Sequence, residues 1–155
     1  MSDSTFDGSG RWKGTRKGSP WNGRTWPVVN SHILEGLTYW AERGNKKATK
    51  LAGELLRRTV LLMSGAIDGT EEANCLEHFH PENGFGSRYR GVDLNISSFM
   101  LDNIFRIGCG FAVRYGEIQD DPIGDAADFK LKGVPLGNKL FDVERKSGKL
   151  KVQPQ

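Results

Sequence analysis

Three observations predict a mainly α fold. Apolar residues recur at helical spacing over three stretches between Trp26 and Ile107, and only about two residues separate the first two stretches. Strand-like alternation is confined to the chain after Phe111. The expected architecture is about three helices, the first two an antiparallel hairpin, followed by a short β-hairpin or meander tail. This divides the chain into a Gly/Trp-rich loop over 1–25, a helical domain over 26–115 and a β-rich tail over 116–155, which leans on the helices or begins a β domain.

The first segment carries Gly8, Gly10, Gly14, Gly18, Pro20 and Gly23, a density that favours extended loop over helix. Trp12, Trp21 and Trp26 are interleaved with it, and aromatics in a loop serve to pack or to bind. Pro27 suits a first helical turn, Ile33, Leu37 and Trp40 follow at helical spacing, and Gly44 stops a helix that runs from about Pro27 to Arg43. Asn45 caps the second helix, whose expected stripe is Leu51, Leu55, Leu56, Val60, Leu61 and Met63, ending before Gly65. Residues 65–74 read as a surface loop. The third helix takes Asp93 as its cap, repeats Ile96, Phe99, Met100, Ile104 and Ile107, and stops at Gly108 and Gly110. Short alternating runs then begin at Phe111, Phe129, Leu140 and Lys149, with turns expected at Gly137-Asn138 and Ser147-Gly148.

The composition narrows the function classes. The 155 residues carry a formal net charge of +3, and much of the excess lies in Arg11, Lys13, Arg16, Lys17 and Arg24. Those residues form no helical stripe, so a solvated arm is expected and no nucleic-acid partner. Hydrophobic content is 37% and mean hydropathy is -0.51, with no apolar run near the ~20 residues that span a bilayer, so no membrane partner is expected. No apolar leader is visible, and Cys75 and Cys109 have no metal-ligand spacing, so a reducing, cytoplasmic location without metal or other cofactor is expected.

Chemistry concentrates in Asn74-Cys75-Leu76-Glu77-His78-Phe79-His80-Pro81-Glu82-Asn83-Gly84-Phe85-Gly86. Leu76 and Phe79 set an apolar wall beside the Glu77 carboxylate, and a turn follows at once. In an extended segment His78 and His80 point away from Glu77, which disfavours a zinc site with Cys75. Gly84-Phe85-Gly86 lacks the strand-before, helix-after context of a phosphate loop. Arg24 is expected in solvent, Glu35 exposed and Asp93 only a cap.

With Trp21-Asn22-Gly23-Arg24-Thr25-Trp26-Pro27-Val28-Val29-Asn30, Glu77-His78-Phe79-x-Pro-x-x-Gly-x-Gly and a helical hairpin between them, the chain resembles the C-terminal part of inverting (α/α)6-barrel glycosidases. The likeness is to the mannosylglycerate hydrolase type and to glycoside hydrolase family 63, and it covers about residues 20–110. It implies a partial (α/α)6 toroid, a carbohydrate substrate and Glu77 as the catalytic base. It also implies that Trp26, Asn30 and Trp21 face the sugar. An inverting enzyme pairs such a base with a protonated carboxyl, the two ~6.5–9.5 Å apart so that a water fits between them. In the family that acid is an aspartate far upstream, in a part of the barrel this chain does not contain. The resemblance therefore implies a missing N-terminal barrel portion and little or no catalysis by the isolated chain. Arg90-Gly91-Val92-Asp93-Leu94-Asn95 also departs from the family's aromatic helix start. The alternative is a non-catalytic helical module that binds sugar or protein, in which Trp26 and Trp21 plug the helical layer and Asn30 bonds locally.

Overall fold

A computed structural model of the chain describes residues 24–67, 69–70, 72–73, 75–86 and 94–155. Its elements are α1 (Pro27–Ala41), α2 (Lys46–Met63), α3 (Leu94–Asn103) with a π-helical continuation over Ile104–Cys109, and five strands. The strands are β1 (Phe111–Arg114), β2 (Glu117–Asp120), β3 (Phe129–Leu136), β4 (Lys139–Lys146) and β5 (Lys149–Pro154). They pair antiparallel as two sheets, β1-β2 and β3-β4-β5. The fold is therefore mixed α+β, which corrects the expectation of a mainly α partial toroid. The reason lies in Phe129–Pro154, where alternation continues through whole strands of eight, eight and six residues rather than short runs. No described helix is long and apolar enough to cross a membrane.

The residues form two compact units that interleave along the chain, one of 24–35 and 54–101, the other of 36–53 and 102–155. In the first unit, the start of α1 buries Pro27, Asn30, Ser31 and Leu34, and the end of α2 buries Leu56, Thr59 and Leu62, each at spacings of three and four or beside such a position. Asn30 Nδ2 donates to Thr59 Oγ1 at 3.0 Å, and Thr59 Oγ1 donates to the Leu55 carbonyl at 2.8 Å. This pairing of the start of α1 with the end of α2 makes the helices antiparallel, as expected. Leu62, Leu76 and Phe79 pack together with Met63 against them. Gly65, at φ 75, lies where a Cβ would come within 2.5 Å of the Glu72 carbonyl oxygen, so the chain leaves α2 by a route open to glycine.

The second unit contains the tip of the hairpin. Gly44, at φ 81, ends α1 with its N–H on the Ala41 carbonyl at 2.9 Å. Asn45 Oδ1 accepts from Ala48 N at 3.1 Å and caps α2, as the sequence predicts. On α2 the buried side chains here are Ala48 and Ala52, whereas Leu51 is exposed and so is Val60 of the first unit. The expected stripe is rotated because the small alanines and Thr59 take the inner positions. Phe111 stacks on Phe105 at 4.9 Å and on Phe129 at 5.6 Å, and a core forms with Val134 and Val143. Tyr115-Gly116 and Ser147-Gly148 both have positive φ at two turn positions, the geometry of type I′ hairpins. The second of these turns was expected; the first, with β2 beyond it, was not read from the sequence.

Candidate functional site

The site is assembled in the first unit by a short backbone pairing. Thr25 N donates to the Phe79 carbonyl at 2.9 Å and Phe79 N to the Thr25 carbonyl at 2.8 Å. Phe79 also bridges to Gly86. The turn between them is held by His80 N on the Phe85 carbonyl at 2.9 Å and Gly84 N on the His80 carbonyl at 3.0 Å. Asn83 Oδ1 accepts from Phe85 N at 3.0 Å, an Asx-type turn that the sequence signal anticipates. His80 Nδ1 accepts from Glu82 N at 3.2 Å, so this imidazole braces the turn.

Side chains from both strands of this pairing converge. Arg24 and Trp26 flank Thr25 and lie on one side of an extended segment, as a period of two requires. The Arg24 guanidinium hydrogen-bonds His78 Nε2, and the Trp26 ring lies 4.8 Å from the imidazole at an interplanar angle of 32°. His78 Nδ1 faces Glu77 Oε2 at 3.7 Å. His78 is fully enclosed, Arg24 is 4% exposed, and Glu77 and Trp26 are each 7% exposed. A cation, an imidazole and a carboxylate thus share an enclosed site, in which electrostatic interactions are stronger than in water.

Of the residues singled out in the sequence, Glu77 and Trp26 are brought together through His78. Asn30 lies one helical turn beyond Trp26, to whose carbonyl its N–H bonds at 3.0 Å, and its side chain is turned to Thr59. Trp21 and Asp93 lie outside the described residues. Glu35 is exposed.

Two local expectations are corrected. Arg24 is buried rather than solvated, because Thr25 pairs with Phe79 and carries Arg24 inward beside Trp26. His78 faces Glu77 rather than away from it, because the segment is a bend between isolated bridges and not a regular strand, so alternation fails there. The signal that would have found Arg24 is its i,i+2 relation to a core tryptophan. No comparable signal marks His78. No group of three or more metal-ligating side chains occurs among the described residues.

The second unit has its own polar cluster. A cleft of about 390 Å³ is lined by Ala41, Glu42 and residues Asp121 to Gly124. Arg106, on the π-helical segment, bonds Glu42 and lies 3.3 Å from Asp121, and Arg114 bonds Asp121 at 2.7 Å. The two cations neutralise the two carboxylates, the arrangement of a structural ion-pair network.

No protein-family model, no curated protein and no solved structure matches this chain.

Proposed function

We propose that the chain is a carbohydrate-active, cytoplasmic protein, the C-terminal portion of an inverting α-glycosidase in which Glu77 is the general base. One observation supports the reading: the two motifs behind the resemblance meet through the pairing of Thr25 with Phe79, fifty-four positions apart, beside a buried Glu77. In the reaction Glu77 takes a proton from the attacking water while a second, protonated carboxyl donates to the departing glycosidic oxygen. The resemblance places that second group upstream, outside this chain. Trp26 lies against the His78 ring, and Asn30 ties α1 to α2 through Thr59.

The test is hydrolysis of aryl α-glycosides by a longer form of the protein that includes the upstream region, with Glu77→Gln beside the unaltered protein. The expected result is a fall in kcat of about 10²–10⁴-fold, the contribution of a positioned base, with the fold retained. An unchanged rate overturns the assignment. The enclosure of Trp26 and Asn30 favours a second reading, a non-catalytic module that binds sugar or protein. It predicts binding without turnover in either form.

A further inference from the structure

We infer that Arg24 fixes His78 in a single neutral tautomer, and that His78 so fixed is a positioning residue for the Glu77 carboxylate. A guanidinium stays protonated and has only N–H donors. Its hydrogen bond to His78 Nε2 therefore needs a lone pair on that nitrogen. An imidazolium has none, and a ring protonated at Nε2 would set two hydrogens against each other. The ring proton is thus on Nδ1, the nitrogen that faces Glu77 Oε2 at 3.7 Å.

That separation exceeds hydrogen-bond length, so at rest the interaction is that of an N–H dipole with a nearby carboxylate. Such contacts tighten when substrate engages the acid or base. His78 is fully enclosed and lies against the Trp26 ring, so the imidazole has little freedom to turn and presents the same N–H to the same oxygen. Motif one thereby acts on motif two: Arg24 sets the tautomer, and the tautomer orients the carboxylate. The hydrogen bond made at one ring nitrogen of a histidine sets the protonation of the other, a common way to orient a reactive group. Naming Glu77 as a base rests on the proposed function; the tautomer does not.

The experiment is a long-range ¹H–¹⁵N correlation spectrum of the histidine side chains in the ¹⁵N-labelled chain near neutral pH. A protonated Nδ1 and an unprotonated Nε2 on His78 are expected. A protonated Nε2, alone or with Nδ1, overturns the inference, and this spectrum of the unaltered chain decides the tautomer whether or not any variant folds. Glu77→Gln is expected to shift the Nδ1–H proton resonance, and no shift overturns the positioning role. In a form of the protein that hydrolyses glycosides, His78→Asn puts an amide N–H where Nδ1–H was and keeps most of kcat. His78→Leu lowers kcat by about 10²-fold at unchanged KM, the cost of a misplaced reacting group. Equal losses in both variants overturn the positioning role. If no form hydrolyses glycosides, the proposed function fails, and the spectral response to Glu77→Gln alone decides whether His78 positions the carboxylate.

Discussion

Among the described residues each compact unit has one buried arginine, and the two are used differently. Arg145, 2% exposed, donates to the Cys109 carbonyl at 2.9 Å, the Gly148 carbonyl at 2.9 Å, the Gly110 carbonyl at 2.8 Å and Asp120 Oδ1 at 2.5 Å. Three of these four acceptors are backbone carbonyls, two of them at the open end of the π-helical segment, where carbonyls lack partners within the helix. This guanidinium ties the end of a helix to a hairpin and holds the architecture. Arg24 instead engages an imidazole that faces a carboxylate. An arginine spent on backbone fixes a fold, whereas one spent on a titratable side chain sets that side chain's chemistry.

The largest expected effect is on Arg145. Arg145→Met takes the side-chain donors from the Cys109 and Gly148 carbonyls at once, and with each unmet acceptor worth about 1–3 kcal/mol a loss of about 2–6 kcal/mol is expected from urea unfolding. Arg24→Met removes a donor from an enclosed imidazole and costs less, about 1–3 kcal/mol by the same measurement. Equal losses would break the comparison, because they would make both arginines architectural. Asn30→Ala, which removes the hydrogen bond to Thr59, is expected to cost about 0.5–1.5 kcal/mol with the helix content of the far-UV spectrum retained.

The smallest effect is on Cys109, whose thiol burial pushes above its ordinary value of 9.0 although nearby Arg145 pulls the other way. The folded state holds this proton more tightly than the unfolded chain. Its contribution to stability is complete below the unfolded value and is lost as pH rises through the folded one. Slow modification by a thiol reagent at pH 8, accelerating once the chain is unfolded in urea, is the expected outcome. Fast modification of the folded chain at that pH would show that burial does not govern the thiol.

Legibility of the sequence followed the range of the interactions. Gly44 and Asn45 mark the hairpin turn because a left-handed stop and a side-chain cap are satisfied within a few residues. Ser147-Gly148 marks a strand turn for the same reason. The balance between helix and sheet was misjudged, because β3, β4 and β5 run on as whole strands where the sequence shows short runs, and the four residues of β2, Glu117–Asp120, form a strand only through pairing with β1. In the site, the turn after Glu77 was legible from Pro81, Asn83 and Gly84. Arg24 was marked only by its i,i+2 relation to Trp26, and His78 by nothing local, since a hydrogen bond across fifty-four positions leaves no periodicity.

The sequence alone determined the antiparallel helical hairpin and the turn at Asn83-Gly84, both set by contacts between near neighbours. Only the tertiary structure decided that the fold is mixed α+β and that Thr25 pairs with Phe79, bringing Arg24, Trp26 and His78 to the carboxylate. Strand pairing and the burial of charge depend on partners distant in sequence, so their energies are defined only once the chain has closed on itself.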